Sequence, residues 1–238
     1  MVAGGAQGIG LATVLRLKDQ GAQVAVIDLA GPALDALPGG VLARAADITD
    51  SAALSRAAEE IAAAMGGVDG LVNSAGIDLI APLSQITDAD WDRIIAVNLT
   101  GAMKLARAFE PHLAAAERAA IVNLSSAAGL VPLKHRSAYS ASKAGLQMFS
   151  KSLAMELAGQ GIRVNCVCPG AVETPLFRSS LRAGEDEAAQ LQAVRSRYAL
   201  ERIADPDEIA AAILWLLSDE ASYVTGVALA VDGGRTFH

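Results

Sequence analysis

The chain has 238 residues, of which 53% are hydrophobic and 4% aromatic, and its formal net charge is −7. This length suffices for one α/β domain over residues 1–238, and no Pro/Gly/Ser-rich linker divides it. The acidic balance, without a dense Lys/Arg cluster, excludes a typical nucleic-acid binder. The longest apolar run, 209–217, is shorter than the ~20 residues of a membrane helix, and no leader precedes the first glycines. We therefore expect a cytoplasmic protein with no membrane partner.

Short β-rich runs alternate with Ala-rich helical stretches, which is the rhythm of βαβ units in a parallel sheet. The first strand, 1–3, is so short that we expect either a minimal or a truncated strand. Further strands are predicted at 23–27, 41–45, 70–73, 120–124, 163–167 and 227–231. Helices are predicted at 9–19, 51–65, 88–116, 140–158 and 206–217, with Thr49, Thr87 and Asp205 as N-caps. The fold class is thus α/β, with a doubly wound, mostly parallel seven-stranded sheet and helices on both faces.

The segment 174–200 interrupts this rhythm. It is polar, carries Arg178, Arg182, Arg195 and Arg197, and has no strand signal. A lid or substrate loop and a solvated helical hairpin are equally good interpretations.

No metal site is predicted. Cys166 and Cys168 alternate within a strand-like run, which indicates buried thiols on one face of a sheet. Neither has zinc-ligand spacing, and His112, His135 and His238 are scattered.

A glycine-rich loop comes directly before the first helix. Gly4, Gly8 and Gly10 flank Gln7 and Ile9 in a Gly-x-x-x-Gly-x-Gly spacing. Without Cβ atoms, backbone N–H groups and the helix N-terminus can approach a pyrophosphate, although such a loop alone could be an ordinary turn.

Asp28 lies eighteen residues after Gly10, at the end of a predicted strand. There a carboxylate would accept hydrogen bonds from an adenosine ribose and repel a 2′-phosphate. Leu29 and Gln7 stand where an enzyme that uses NADP would favour a cation, so the charges favour NAD. The alternative is a solvated strand-end Asp, which the glycine loop makes less attractive.

Tyr139 and Lys143 are four residues apart and would share one face of a helix. An ammonium one turn away would stabilise the phenolate and lower the tyrosine pKa. Ser126, thirteen residues before Tyr139, would hydrogen-bond a substrate oxygen. Together they could move a proton on or off an alcohol while its hydride goes elsewhere. Taken singly, each could equally be a packing, turn or surface residue.

As a set, these motifs resemble those of the short-chain dehydrogenase/reductase family, in the same order and over almost the entire chain. The further positions that match are an adenine-binding pair, a turn after the fourth strand, a helix-breaking catalytic asparagine, a segment that holds the nicotinamide carboxamide, and a C-terminal signature. These are Asp47 and Ile48; Asn73, Ser74, Ala75 and Gly76; Asn98; Pro169, Gly170, Val172 and Thr174; and Asp232, Gly233 and Gly234. Ala3 and Ser74 depart from the family's usual Thr and Asn, which puts local hydrogen bonds in doubt.

The resemblance implies a Rossmann domain and hydride exchange between NAD and a secondary alcohol or ketone. Tyr139 would move the hydroxyl proton, Ser126 would orient the substrate oxygen, and Asn98 would hold a water linking Lys143 to solvent. Lys143 would also bind the nicotinamide ribose. A homotetramer, or a homodimer, is expected through the two long helices.

The substrate class is left open. Lys134, His135 and Arg136 precede Tyr139 and hint at a hydroxy acid or sugar acid, although Arg136 could equally form a surface ion pair. A polyol is a further candidate. One alternative function is an NADPH-dependent reductase of the 3-oxoacyl carrier-protein type, and another is a non-catalytic nucleotide sensor.

Overall fold

The computed structural model describes residues 1–181, 184 and 186–236. The predicted lid residue Arg182 and the predicted non-ligand His238 lie outside this described part. Seven strands form one sheet: β1 (Val2–Ala3), β2 (Val24–Asp28), β3 (Val41–Ala45), β4 (Gly70–Asn73), β5 (Ala119–Leu124), β6 (Ile162–Pro169) and β7 (Ala228–Val231). Their order is β3-β2-β1-β4-β5-β6-β7, and every neighbouring pair is parallel. The predicted doubly wound α/β class is confirmed.

Nine α-helices connect the strands of the described chain. They are α1 (Gly8–Asp19), α2 (Pro32–Asp35), α3 (Ser51–Met65), α4 (Asp88–Ile95), α5 (Gly101–Ala114), α6 (Ser137–Leu157), α7 (Pro175–Arg178), α8 (Glu187–Arg195) and α9 (Pro206–Leu217).

Both faces of the sheet are covered by helices, which explains why residues 24–27 of β2 are all apolar. Ala25 and Ile27 pack into the core beneath α3 and α5, whereas Val24 and Val26 pack into the core beneath α1 and α9. A parallel strand covered on both faces has no solvent side, so its run is hydrophobic rather than alternating.

The helix N-termini correct one prediction. Thr87 and Asp205 cap α4 and α9 in complete capping boxes, as expected. Thr49 is not the cap of α3, because the Asp50 carboxylate accepts the N–H groups of Ala52 and Ala53 at 2.9 and 3.0 Å. A carboxylate at this position is favoured by the positive helix terminus.

The predicted helix 88–116 is not continuous. A wide π turn, Ala96–Thr100, separates α4 from α5 and contains Asn98. The helix that carries Tyr139 starts at Ser137 rather than at 140, so Tyr139 and Lys143 both lie within it.

The carboxyl ends of the parallel strands meet at one edge, which is where open α/β sheets bind ligands. The strand order reverses direction between β1 and β4, so the turn after β1 and the turn after β4 flank a crevice. Among the described residues, no helix is long and apolar enough to cross a membrane.

Candidate active site

A cavity of about 960 Å³ opens at this edge of the sheet. Its wall includes Ser126 after β5, Tyr139 and Lys143 on α6, and Gly170 after β6. The turn after β4, the loop before α6 and the segment between β6 and α9 contribute most of the remaining lining. The fold therefore gathers residues that are far apart in sequence around one space large enough for a small molecule.

Tyr139 and Lys143 lie on the same face of α6. The Lys143 Nζ atom is 5.8 Å from the centre of the Tyr139 ring. Ser126 begins the turn after β5, where its Oγ accepts the Ala128 N–H at 3.1 Å. The side-chain pairing expected from the four-residue spacing is thus present in the fold.

Lys143 is buried, with 4% of its surface exposed. Its Nζ donates a hydrogen bond to the Leu124 carbonyl at 2.8 Å. Burial lowers the pKa of Lys143 to about 8, and the Asp78 carboxylate offsets part of that effect. The ammonium is consequently held at the end of β5 but can lose its proton at mildly alkaline pH.

The pKa of Tyr139 contradicts one prediction. Burial raises the pKa of the phenol to about 12, and hydrogen bonding with Ser126 offsets this only in part. The Asp78 carboxylate raises the pKa further and Arg136 lowers it, while the expected lowering by Lys143 is not among these causes. Desolvation of the buried phenol is the largest of these causes, because burial penalises the charged phenolate. In the protein alone, Tyr139 is a phenol at neutral pH.

Asn98 is fixed by the backbone of the loop after β4. Its Oδ1 accepts the Ile77 N–H and its Nδ2 donates to the Ile77 carbonyl, both at 2.9 Å. Nδ2 also donates to the Ser142 hydroxyl of α6 at 3.1 Å. The irregular turn therefore aims a buried amide toward the helix that carries the tyrosine and the lysine.

Gly76 keeps open the space between Asn98 and Lys143. A Cβ atom at Gly76 would lie 3.3 Å from Lys143 Nζ and 3.4 Å from Asn98 Oδ1. The two polar groups thus face the same position in the turn after β4, and a side chain there would crowd both.

Asp78 and Arg136 form an ion pair at the cavity wall that sequence reasoning missed. Arg136 Nη2 lies 3.1 Å from Asp78 Oδ2, and their side chains are 23% and 12% exposed. Burial raises the pKa of Asp78, although Arg136 counteracts it. The sequence left two roles open for Arg136, an ion pair and a place in the pocket, and the structure shows both. No local pattern near Asp78 signals this partner, which is 58 positions away.

The glycine loop has the tight geometry that a phosphate-binding turn needs. Gly4 has φ +70°, and a Cβ there would lie 2.6 Å from the Ala75 nitrogen. A Cβ at Gly10 would lie 2.0 Å from the Gly4 carbonyl oxygen. Gly8, at φ +55°, comes close to the Thr174 side chain. The bare backbone before α1 fits a nucleotide pyrophosphate.

Asp28 ends β2 beside this loop. Its Oδ2 accepts the Ala6 N–H at 2.9 Å and its Oδ1 accepts the Leu29 N–H at 2.8 Å. Leu29 is 63% exposed, and Gln7 is exposed within the loop. Asp28 therefore holds the loop in place and presents a carboxylate at its edge.

Of the two residues expected to contact the adenine, Asp47 is exposed and Ile48 is buried. Asp47 Oδ1 accepts the N–H and the hydroxyl of Thr49, each at 2.8 Å. Ile48 is buried in the core, close enough to α5 that a Cβ at Gly101 would touch it at 3.0 Å. Because the Ile48 side chain packs in the core, only the backbone of this residue can face a ligand.

The turn after β4 is well ordered by hydrogen bonds despite its two departures from the family pattern. Asn73 is buried and its Oδ1 accepts the Ala75 N–H at 3.3 Å. The Ser74 N–H donates to the Ala3 carbonyl at 2.8 Å. Backbone groups make this last contact, so it does not depend on the residue types at 3 and 74.

The segment after β6 crosses toward the glycine loop. Pro169 ends the strand, Gly170 lines the cavity, and Val172 is buried. Thr174 caps α7 by accepting the Phe177 N–H at 3.1 Å. It is Thr174 that approaches Gly8, so the proposed carboxamide segment and the proposed phosphate loop are neighbours.

The described part of 174–200 is helical and forms one wall of the cavity. Arg178 on α7 is paired with Glu173 and, at 2.6 Å, with Glu187 at the start of α8. A second arginine of this segment, Arg195, lines a separate surface depression. The lining residues from this segment include Leu176, Phe177, Leu181, Ala193, Val194, Arg197 and Tyr198. A helical pair is therefore present, and it faces the cavity.

Among residues 1–181, 184 and 186–236, no group of three or more His, Cys, Asp or Glu is arranged to hold a metal ion. Cys166 and Cys168 are fully buried, as the strand pattern predicts. Burial raises their pKa values to about 12 and about 11, so both are protonated thiols at neutral pH.

Comparison with known proteins agrees with this architecture. A family model described as enoyl-(acyl carrier protein) reductase matches residues 4–236. The 2-(S)-hydroxypropyl-CoM dehydrogenase 3 of Xanthobacter autotrophicus is 39% identical, over 99% of this chain and 95% of that protein. The 3-oxoacyl-(acyl-carrier-protein) reductase of Thermotoga maritima is 37% identical, over 98% of this chain and 96% of that protein. The ligand-free aldohexose dehydrogenase of Thermoplasma acidophilum superposes with a TM-score of 0.92 at 31% identity, covering 100% of this chain and 93% of that one.

The chain belongs to the short-chain dehydrogenase/reductase family. It is accordingly an oxidoreductase of secondary alcohols and carbonyl compounds that works with a nicotinamide cofactor. The glycine loop, with its positive φ angles and absent side chains, fits such a cofactor.

Proposed function

We propose that this protein is an NAD-dependent dehydrogenase that interconverts a secondary alcohol and a ketone, with Tyr139 as the proton-transfer residue. The single observation that carries the proposal is the convergence of Ser126, Tyr139 and Lys143 at one cavity next to the glycine loop, with Asn98 tied to the same helix through Ser142. A nicotinamide cofactor bound there supplies the hydride acceptor or donor.

Tyr139 is suited to give its proton to a carbonyl oxygen, because its pKa of about 12 keeps the phenol protonated. In the direction of alcohol oxidation it has to be deprotonated first, which requires extra positive charge near its hydroxyl. The oxidised, cationic nicotinamide would add that charge to the Lys143 ammonium one helical turn away. Ser126, which lines the same cavity as Tyr139, would bind the same substrate oxygen and fix its position.

Lys143 and Asn98 form the inner end of a proton path in this proposal. Both face the position beside Gly76, where a water could contact the ammonium and the amide oxygen. Asn98 cannot rotate without breaking its bonds to Ile77, so its free acceptor site is pre-oriented. A fixed acceptor lowers the reorganisation that proton transfer demands.

The preference for NAD over NADP rests on charge. The proposed ribose-binding group, Asp28, is a carboxylate, and Leu29 beside it is neutral. Arg44, paired in register with Ile27 on the adjacent strand, is engaged by Glu60 at 2.6 Å. A 2′-phosphate would therefore meet repulsion from Asp28 without a free cation from Arg44.

The remaining nucleotide contacts follow the family pattern. Besides Gly4, Gln7, Gly8, Ile9 and Gly10, we assign the cofactor to the two turns and the post-β6 segment described above. Those residues are Asp47, Ile48, Asn73, Ala75, Gly76, Pro169, Gly170, Val172 and Thr174, together with Tyr139 and Lys143.

We also propose assembly into a homotetramer or homodimer through the long helices. Met148 and Met155, seven residues apart on α6, are 62% and 84% exposed. Two large apolar side chains on one helix face are more typical of a subunit contact than of a solvated surface.

A second candidate, an NADPH-dependent 3-oxoacyl carrier-protein reductase, is favoured by the similarity to the Thermotoga maritima enzyme. Such a reductase is expected to prefer NADPH and to have a basic docking surface for an acidic carrier. The carboxylate of Asp28 argues against the NADPH preference. Reduction of a 3-oxoacyl thioester, measured with NADPH and with NADH, distinguishes this reductase from the proposed NAD-dependent dehydrogenase.

The test is a spectrophotometric screen for NAD⁺ and NADP⁺ reduction with hydroxy acids, aldonates, polyols and simple secondary alcohols. Tyr139→Phe should abolish turnover while NADH binding stays nearly unchanged, because the substitution removes the proton donor and little cofactor contact. Tyr223→Phe, at a fully exposed tyrosine, is the control and should keep activity. Turnover retained in Tyr139→Phe would refute the mechanism, and NADH binding without any turnover in the wild type would favour a nucleotide sensor.

A further inference from the structure

The cavity carries an excess of positive charge although the whole chain is acidic. Its described lining contains five cationic side chains and two carboxylates, in a chain whose net charge is −7. The cations are Lys134, Arg136, Lys143, Arg197 and Arg235, and the carboxylates are Asp78 and Asp186. A positively charged cavity in a negatively charged protein favours an anionic ligand.

Most of these charges already have partners. Arg136 is paired with Asp78, and the Lys143 ammonium donates to the Leu124 carbonyl. Asp186 caps α8 by accepting the N–H groups of its first turn. These groups therefore contribute little attraction for a substrate.

Three lining cations remain, namely Lys134, Arg197 and Arg235, and the last two carry guanidinium groups. Within the part of the chain that the structure describes, neither guanidinium has an ion pair or a hydrogen bond. The carboxylate nearest to Arg235 in sequence, Asp232, accepts the Gly234 N–H at 3.0 Å and the Thr236 hydroxyl at 2.6 Å instead. Two arginines whose guanidinium N–H donors have no partner in the described chain thus line the same cavity as Tyr139.

Tyr198 lies next to Arg197 in the chain, and both arginines act on its hydroxyl. Its hydroxyl accepts the Ala171 N–H at 2.9 Å, which anchors the end of the 174–200 segment beside β6. Burial raises the pKa of Tyr198, and both Arg235 and Arg197 act in the opposite direction on it. Both guanidinium groups therefore lie within electrostatic range of one anchored hydroxyl.

This location is distinct from the one where cofactor phosphates are expected. The glycine loop follows β1, whereas Ala171 follows β6, which is three strands farther along the sheet. Three strand spacings amount to roughly 14 Å. The charge of Arg197 and Arg235 is consequently available to the other molecule in the cavity, the substrate.

We propose that Arg197 and Arg235 form an anion-binding subsite that selects alcohols with a carboxylate or similar oxyanion remote from the reacting hydroxyl. The inference rests on the proposed function, because the hydroxyl end is defined by Tyr139. It assigns to Arg197 and Arg235 the recognition expected of Arg136, whose guanidinium is paired with Asp78. A guanidinium is suited to the role because its planar donors match an oxyanion.

The test compares hydroxy acids with their neutral methyl esters. Lactate, 3-hydroxybutyrate and 4-hydroxypentanoate place the carboxylate at increasing distance from a secondary hydroxyl. With Arg197→Gln and Arg235→Gln, KM for the best acid should rise about tenfold for each change, while KM for its ester stays constant. Arg195→Gln removes the same charge two residues from Arg197 but lines the separate depression, so it should leave both values unchanged.

Equal effects on acid and ester, or no effect on either, would overturn the subsite while the dehydrogenase assignment stands. Calorimetric titration of 3-hydroxybutyrate into the protein saturated with NADH provides a readout that does not need turnover. Binding that weakens in the Arg197→Gln/Arg235→Gln double variant supports the subsite even if no alcohol is oxidised, in which case only the proposed function fails. Binding that is identical in wild type and double variant contradicts it.

Discussion

Asn98 and Ile77 hold each other through two reciprocal hydrogen bonds, each 2.9 Å long, between one side-chain amide and one backbone unit. A third bond, from Asn98 Nδ2 to Ser142, extends the tie to α6. The loop after β4, the π turn and the catalytic helix are thus linked through a single buried side chain. Their relative positions are set before any ligand binds.

Asn98→Asp should impair both stability and turnover. The carboxylate loses two donor contacts and turns an acceptor toward the Ile77 carbonyl, so we expect a loss of about 1–3 kcal/mol in the free energy of unfolding. Turnover of the folded protein should fall at least about tenfold, because the proposed proton path loses its orientation. Urea unfolding and steady-state kinetics measure the two effects. Asn123→Asp, which breaks a buried bond to Ser150 away from the cavity, is the control and should cost stability only.

The buried ammonium of Lys143 predicts a pH-dependent stability. Its pKa is lowered from 10.5 to about 8 in the folded protein, so between these values the unfolded chain binds more protons than the folded one. Stability from this group therefore rises with pH over that window. Urea unfolding at pH 7, 8, 9 and 10 should show the wild type gaining stability relative to Lys143→Met.

Lys151→Met is the matched control, since Lys151 is an exposed lysine on the same helix. Its stability should follow the wild type across the whole pH range. The raised pKa of Tyr139 acts only above pH 10 and is common to all three proteins, so it cancels in the comparison. Parallel curves for wild type and Lys143→Met would contradict the lowered pKa.

Cofactor choice should respond to the charge at the end of β2. Asp28→Asn retains an oxygen that can accept the Ala6 N–H but removes the negative charge, and Leu29→Arg adds a cation at an exposed position. We expect the double variant to raise the ratio of kcat/KM for NADP⁺ to that for NAD⁺ by about tenfold or more. Asp35→Asn on α2 serves as the charge control. A double variant with an unchanged ratio would remove Asp28 as the determinant.

The glycine loop should tolerate no side chain at position 10. A Cβ there would lie 2.0 Å from the Gly4 carbonyl oxygen, so Gly10→Ala has to displace the backbone of the loop. We expect a loss of about 3 kcal/mol in the free energy of unfolding and weakened NADH binding. Gly159→Ala, where nothing lies within 4 Å of the added Cβ, should leave both unchanged. Fluorescence titration with NADH and thermal unfolding distinguish these outcomes.

Local patterns were enough to predict the sheet. Strands β3 and β4 have the predicted bounds, and β2 is displaced by one residue. Apolar runs bounded by Gly, Asp and Asn mark buried parallel strands because the sheet covers both of their faces. The residue pattern alone predicts a helix over 88–116, because a π turn leaves the 3.6-residue periodicity on either side intact. The break at Asn98 that the family resemblance implies is confirmed.

The electrostatics of the site could not be predicted in the same way. The Asp78 to Arg136 pair and the raised pKa of Tyr139 depend on burial and on contacts between distant segments. Arg235 follows β7, and no local pattern places it near Tyr198 or Arg197. Sequence spacing indicates which residues share a helix, whereas desolvation is a property of the assembled cavity.

The π turn at Ala96–Thr100 sets two selective pressures against each other. A regular helix closes each hydrogen-bonded turn over four residues, but this one closes over five. Deleting a single residue would let the stretch wind normally and would rotate position 98 by about 100° relative to its neighbours. Variants selected only for heat resistance should accumulate changes that regularise this stretch, whereas variants selected for turnover should keep the irregularity. At this irregular turn, selection for heat stability and selection for turnover thus favour different sequences.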